Sequence, residues 1–205
     1  MAVPSRTLKG VVLLREESGE GHLRLRLFSP DEGLVLAFKR LPSKRSPGPL
    51  PDLFDELEVR LQRPRSGGDS VSFVTEWRAL LRRPELARCR ERLKAASRLA
   101  CLYLQNGSHL ATPAPAAELL STALDSLVEG FVPVAVHLKT LYRFARDEGY
   151  PVKEAWWREL PPTERSLAAE TLNVSLCELV QDSDAIGGIL ESLGDWLNAE
   201  TELRC

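Results

Sequence analysis

The sequence predicts an α+β protein in which a small five-stranded β-barrel precedes a bundle of α-helices. Two patterns support this prediction: apolar and polar residues alternate in short runs up to Trp77, and from Pro84 onward apolar residues recur every three or four positions. An apolar content of 43% and a charged content of 27% in 205 residues are typical of a globular chain. We expect the barrel to occupy residues 1–78 and the helical domain residues 79–205.

Five segments of the first 77 residues have the character of β-strands, at 8–14, 22–28, 34–38, 54–61 and 71–77. The second is the clearest, because leucines at 23, 25 and 27 alternate with Arg24 and Arg26. Turns rich in glycine, proline and serine separate the segments. Short antiparallel strands at this density suggest a closed or partly open barrel.

The helical part begins at Pro84, a residue suited to a first helical turn, and its first helix ends before Gly107. The apolar stripe predicted for this helix is Leu86, Cys89, Leu93, Ala96, Ala100 and Tyr103. A second helix starts near Pro115 and closes at Gly130, and a third runs from Pro133 to Gly149. Two more are predicted at 163–181 and 184–198.

Several classes of protein are not favoured by the sequence. It has no apolar run long enough for a membrane span and no secretory signal in residues 1–25, so we expect a cytoplasmic protein without a membrane partner. Its four scattered cysteines are expected to be reduced and to be mostly small core residues. They form no CxxC pair, so a zinc site built from close cysteine pairs is not predicted. We expect no metal or other cofactor. Phosphate-loop, HExxH and GxSxG motifs are absent, so an enzyme is not expected either.

The net charge of −2 hides a strong asymmetry. Residues 1–110 carry 20 Lys and Arg against 13 Asp and Glu, whereas residues 111–205 carry 7 against 16. A basic half allows a nearly neutral protein to hold a polyanion on one side. Chance segregation of surface charge is the alternative.

Basic residues concentrate in two places. The first is the loop after the third strand, extended by the two arginines of the second strand; the second is a stripe on the first helix at i, i+4 and i+8. An anionic partner relieves the repulsion within such a stripe, whereas on a solvated face the long stems only cover apolar surface. The candidate residues for binding such a partner, either nucleic acid or an acidic peptide, are Arg24, Arg26, Lys39, Arg40, Lys44, Arg45, Arg90, Lys94 and Arg98.

The aromatic residues of the barrel are expected mostly on or near its core face. In the fifth strand, for example, Phe73 shares a predicted face with Val71 and Thr75. A platform of exposed rings for stacking bases is therefore not expected. Any binding of nucleic acid is predicted to involve mainly the phosphate backbone, with little sequence preference and a strong dependence on salt.

Several short motifs along the chain occur in a distinctive order. The first are an apolar strand at 10–14, a Gly19-Glu20 turn, the segment 27–33 and the basic stretch 37–40. They continue with the basic Pro/Ser loop, the segments 54–59 and 93–97, the Gly149-Tyr150-Pro151 turn and, more loosely, residues 196–204. In this order and spacing, the chain resembles the bacterial RecO family of recombination mediators over most of its length.

The resemblance implies an N-terminal OB-fold barrel, a helical domain and a role in DNA repair. It implies binding of single- and double-stranded DNA, annealing of complementary strands, and loading of the RecA recombinase together with RecR and single-strand-binding protein. Many family members carry a four-cysteine zinc motif after the Gly-Tyr-Pro turn. Residues 152–165 contain no cysteine, so zinc is not expected here.

The resemblance also implies a site on the third helix for the acidic tail of single-strand-binding protein. Lys139 and Arg143 stand nearest to the position of the family's arginine-rich segment, and they are the candidate partner-binding residues. The alternative is a non-catalytic protein-interaction adaptor whose barrel no longer binds DNA. The acidic C-terminal half and the missing zinc motif favour that alternative.

Overall fold

The computed structural model describes residues 5–19, 21–42, 48–63, 72–179 and 182–205. The chain forms two compact units that interleave along the sequence. Residues 1–83 and 107–118 make up the first unit, and residues 84–106 and 119–205 make up the second. The boundary predicted between residues 78 and 79 falls inside the last strand, which ends at Leu81.

Within the described residues, five strands close into a barrel in which neighbours follow the order β1-β2-β3-β5-β4. The strands are β1 (Ser5–Ser18), β2 (His22–Ser29), β3 (Gly33–Arg40), β4 (Glu56–Gln62) and β5 (Ser72–Leu81). Neighbouring strands are antiparallel except β3 and β5, which run parallel and so depart from the all-antiparallel expectation. The predicted OB-fold barrel followed by helices is confirmed.

Aliphatic side chains fill the barrel, because the strands direct every second side chain inward. In β2, Leu23, Leu25 and Leu27 are each at most 1% exposed, as the alternation predicts. Burial of each such side chain contributes about 1.5–3 kcal/mol. The core cluster also contains Leu8, Val12, Val35, Ala37, Leu57, Val59, Leu61 and Val74.

Strand β1 serves two neighbours, pairing first with β4 and then with β2. A register shift between Val12 and Leu14 allows the strand to bend on the way. At Gly10 the backbone of β2 is very close: a Cβ built there lies 2.8 Å from the carbonyl oxygen of Phe28. A side chain therefore fits at this position only if the backbone moves.

The segment before β4 is tied to the bend in β1. The Phe54 amide donates to the Val12 carbonyl at 2.8 Å, and the Val12 amide donates to the Asp55 carbonyl at 2.9 Å. The carboxylate of Asp55, a residue only 3% exposed, accepts a hydrogen bond from the Asp52 amide at 3.0 Å. Burial raises the pKa of Asp55 above its usual value. The buried Arg83 guanidinium donates to the Phe54 carbonyl at 2.9 Å.

Strand β5 differs from the prediction in the face that it buries. Val74 belongs to the core cluster, and Trp77 packs against it, whereas Phe73 lies outside it. The register against β4 shifts between Arg60 and Leu61, so a regular alternation does not hold along β5. The expected core face of Phe73 is therefore wrong; its predicted neighbour Val71 lies outside the described residues.

Residues 107–118 return to the first unit and lie against the β2–β3 turn. Gly33 in this turn has a positive φ of 70°. A Cβ built on it lies 3.1 Å from the Gly107 carbonyl oxygen and 3.4 Å from Cγ of Pro113. Glycine therefore meets two requirements at this position, the left-handed backbone and the close neighbour.

The helices described by the structure are α1 (Arg90–Asn106), α2 (Pro113–Glu129), α3 (Pro133–Asp147), α4 (Trp156–Glu159), α5 (Pro162–Asn173) and α6 (Ser183–Glu200). Turns of 3-10 helix occupy Pro84–Arg88 and Leu176–Glu178. The predicted helix ends at Gly130 and Gly149 are confirmed, and both glycines have positive φ. The predicted helix at 163–181 is shorter, and α4 was not predicted.

Helix α3 is the centre of the helical unit and packs against α1, α5 and α6. Its buried residues include Leu138, Leu141 and Phe144, and the Phe144 ring meets that of Tyr103 from α1 at 5.1 Å between centroids. In α1, Leu93 is 37% exposed, contrary to its predicted place in the apolar stripe. The buried face of α1 is formed by Ala95, Ala96, Leu99, Ala100, Leu102 and Tyr103.

The cysteines are also more exposed than expected. Cys101, Cys177 and Cys205 are exposed and Cys89 is partly exposed, so the prediction of mostly core positions is wrong. None of the helices in the described part of the chain is both long and apolar enough to cross a membrane.

Candidate nucleic-acid interface

The outer side of β2 carries polar side chains at the positions between its core leucines. His22, Arg24 and Arg26 occupy these positions and point away from the barrel interior. Residues directly opposite one another on neighbouring strands share a face. The surface that we call the β2 face therefore comprises these three residues and their neighbours on β1 and β3, which are Leu14, Glu16, Ser18, Leu36, Phe38 and Arg40.

Arg24 occupies the middle of the β2 face, between Glu16 on β1 and Phe38 on β3. Its Nη1 donates to Oε1 of Glu16 at 2.6 Å, and the two side chains are 38% and 43% exposed. Ion pairs this exposed contribute at most about 1 kcal/mol, because solvent screens them. Glu16 therefore orients Arg24, and the ion pair between them is weak enough for a phosphate to replace the Glu16 carboxylate.

The other predicted cations of the barrel fall into three groups. Arg26 and Arg40 lie on the β2 face and have no carboxylate partner among the residues that the structure describes. Lys39 stands opposite the core residue Leu23, so it belongs to the inner side at the rim of the barrel and not to the β2 face. Lys44 and Arg45 lie outside the described residues.

Three rings meet on the outer side of the barrel, which sequence reasoning did not anticipate. Phe38 and Phe73 are ladder partners on β3 and β5, and their ring centroids are 6.1 Å apart. The imidazole of His22 meets the Phe73 ring edge-on at 5.8 Å. All three residues are partly exposed and lie outside the core cluster. Phe28 and Phe54 are buried and Trp77 packs against the core, so most barrel aromatics lie where the sequence predicts, and Phe38 and Phe73 are the exceptions.

The outer side of β4 and β5 is also charged, but its charges are paired. Arg78 Nε donates to Oε2 of Glu58 at 2.8 Å, and Arg60 Nη1 lies 3.5 Å from Oε1 of Glu76. The hydrogen bond from Arg78 lowers the pKa of Glu58. Because each of these arginines faces a carboxylate, a polyanion gains less here than on the β2 face.

In the second unit, Arg90, Lys94 and Arg98 form the predicted exposed stripe along α1. None of the three has a carboxylate partner closer than 4 Å in the described part of the chain. Burial, with a smaller contribution from Arg98, lowers the pKa of His137 on α3 to about 4. His137 is therefore neutral near pH 7 and adds no charge to the stripe.

A groove of about 710 Å³ opens between helices of the second unit. Its apolar lining comes from α2, α3, α4 and the segment around α5, and comprises Leu119, Ala123, Val136, Trp157, Leu172 and Leu176. Its cations are Lys139, Arg143, Arg146 and Lys153. Apolar walls with several cations fit a partner that is both acidic and apolar. The sequence predicted two of the four cations.

The two predicted partner-binding residues have different surroundings in this groove. Lys139 Nζ donates to the carbonyl oxygens of Leu172 at 3.2 Å and of Val174 at 2.5 Å, at the C-terminal end of α5. Burial and the nearby Arg143 lower the pKa of Lys139. Lys139 therefore supports α5, whereas the exposed Arg143 has no ion pair within the described ranges.

Among the described residues, no group of three or more His, Cys, Asp or Glu side chains is placed to hold a metal ion. The chain matches no protein-family model. It also matches no protein of curated function.

Proposed function

We propose that this chain is a RecO-like recombination mediator in DNA repair, which binds single- and double-stranded DNA and promotes annealing without breaking or forming covalent bonds. One observation carries the proposal: Arg24, Arg26 and Arg40 share the β2 face of an OB-fold barrel, where Glu16 is the only carboxylate among the face's residues. OB-folds use this region of the barrel to bind oligonucleotides. We propose that this activity takes place in the cytoplasm.

Phosphate contacts explain how such a face promotes annealing. Each arginine that meets a phosphate releases condensed counterions, and two strands held by the same protein repel each other less. Three contacts on the β2 face give a slope of log affinity against log salt of about −2 for single-stranded DNA. The separate stripe of Arg90, Lys94 and Arg98 on the second unit offers three contacts of the same kind, with the same expected slope.

The groove of the second unit supports the partner side of the proposal. Its cations and apolar walls suit an acidic segment with one large apolar side chain, such as the acidic tail of single-strand-binding protein. Arg143 is the residue of this groove that we assign to the carboxylates. Cooperation with RecR and loading of RecA complete the proposed role.

The direct test is fluorescence anisotropy of a labelled single-stranded oligonucleotide over a salt series. Arg24→Gln/Arg26→Gln is expected to weaken binding and to flatten the slope by about 1.4, since two phosphate contacts are lost. Arg60→Gln/Arg78→Gln removes the same charge from the other side of the barrel and serves as the matched control. Wild-type protein that binds no DNA at low salt would refute the proposed function.

The groove also supports a second candidate, an interaction adaptor that does not bind DNA. The adaptor is favoured if the wild-type protein does not bind DNA but binds a labelled acidic peptide with one bulky apolar residue. In either case Arg143→Glu is expected to weaken peptide binding, because the like charge repels the carboxylates. An unchanged peptide affinity in that variant contradicts the assignment of Arg143.

A further inference from the structure

We propose that His22, Phe38 and Phe73 form a base-stacking platform, which makes the β2 face selective for unpaired bases of single-stranded nucleic acid. The proposal deepens the proposed function, because it rests on DNA reaching the β2 face. It adds a ligand class, the flat face of a nucleobase, that phosphate contacts alone do not select.

The first support is the place of these rings in the barrel. An aromatic side chain stabilises a barrel most when it points inward, yet the ladder pairing sets Phe38 beside Arg24 and Phe73 beside Phe38, away from the core cluster. The rings contact one another at 5.8 and 6.1 Å between centroids. They thereby hold each other in place while remaining partly exposed to solvent.

The second support is the charge around the rings, which identifies the occupant. Arg24 stands directly opposite Phe38 on the neighbouring strand, and Arg40 stands directly opposite His22. Neighbouring strands are about 4.8 Å apart, so a ring and a guanidinium lie within reach of a single nucleotide. Rings bordered by cations fit the combination of base and phosphate better than they fit an apolar protein surface.

Selectivity for unpaired bases follows from the geometry of nucleic acids. In a duplex both faces of a base are stacked on its neighbours, so a protein ring has no base face to contact. A single strand presents those faces, and stacking on an aromatic side chain tolerates every base. Phosphate contacts by Arg24 and Arg40 remain possible with either form of DNA.

The test compares three labelled ligands of equal phosphate number at one salt concentration: a single strand, an abasic single strand and a duplex. Wild-type protein is expected to bind the normal strand more tightly than the abasic strand. Phe38→Leu/Phe73→Leu keeps apolar bulk but removes two rings, and is expected to bind the normal strand roughly 5- to 150-fold more weakly. Its affinity for the abasic strand and the duplex, and its salt slope, are expected to stay unchanged.

Leu80→Ala is the matched control, since it removes exposed apolar surface from β5, the strand of Phe73, at a position outside the β2 face, and it is expected to leave binding of all three ligands unchanged. The proposal is overturned if wild-type protein binds normal and abasic strands equally, a readout that needs no variant to fold. It is also overturned if the double variant loses affinity for all three ligands alike. These failures differ from failure of the proposed function, in which the wild-type protein binds none of the ligands.

Discussion

Replacing Glu16 by glutamine tests whether this carboxylate lowers the affinity of the β2 face for DNA. Glu16 accepts a hydrogen bond from Arg24 at 2.6 Å, so an arriving phosphate has to displace it and also approach its negative charge. Glutamine keeps the size and an acceptor oxygen of the side chain but removes the charge. The variant is therefore expected to bind DNA more tightly than the wild-type protein.

The magnitude follows from the exposure of the pair. Two charges about 4 Å apart in water interact by about 1 kcal/mol, and measured exposed ion pairs contribute about 0.2–1 kcal/mol. The side chains of Arg24 and Glu16 are 38% and 43% exposed, so the screened range applies. Losing this competition raises affinity by about 1.5- to 5-fold.

The assay is anisotropy of a labelled single-stranded oligonucleotide at low salt, where exposed charges are least screened. Glu76→Gln is the matched control, because Glu76 is also exposed and faces Arg60 at 3.5 Å on the other side of the barrel. A Glu16→Gln affinity equal to that of wild type, or an equal gain in both variants, contradicts the assignment of the β2 face.

Three further predictions concern stability. Gly10→Ala is expected to lower the free energy of unfolding, measured by urea denaturation, by about 1–3 kcal/mol, because its Cβ lies 2.8 Å from the β2 backbone. Gly19→Ala, with open space around it, is expected to lower it far less; equal effects contradict the close approach at Gly10. Asp55 is nearly buried, and burial raises the pKa of its carboxyl group above 3.8. The folded state therefore holds the proton of this carboxyl group more tightly than the unfolded state does. The stability that this difference contributes is lost as pH rises from about 3.8 through the raised pKa. Asp55→Asn removes that loss, so the change in the free energy of unfolding from pH 4 to pH 7 is expected to be more positive in the variant than in wild type; an equal change in both proteins contradicts the role of burial. Lys139→Met is expected to lower the free energy of unfolding by about 1–3 kcal/mol, because two carbonyl oxygens at the end of α5 lose their donor. Arg143→Met, at an exposed site, is expected to change it by less than about 0.5 kcal/mol. Comparable losses in the two variants contradict the role of Lys139 in stabilising α5.

The sequence predicts the barrel best where one strand has both a buried and an open side. In β2, strict alternation places three leucines in the core and two arginines outside, and the structure agrees. The run 34–38 in β3 is apolar at every position, so periodicity cannot assign a face to Phe38. That face is set by pairing with Arg24 on another strand, which is information that a local pattern does not contain.

The site in the helical unit was harder to predict for a related reason. Lys139 and Arg143 were chosen through the resemblance to the RecO family and lie on one helix, but the groove around them also needs Leu119 and Trp157, which lie far away along the chain. The helix ends were predictable because Gly130 and Gly149 are local signals with positive φ. Packing between distant helices leaves no comparable signal in a single sequence.

The interleaved course of the chain limits how the protein can be dissected. A fragment that stops at residue 83 contains all five strands of the barrel but lacks residues 107–118, which belong to the same compact unit. Such a fragment exposes Gly33 where Pro113 normally covers it. The first unit has sequence on both sides of α1, and the second has sequence on both sides of residues 107–118, so the two units cannot be separated by one cut.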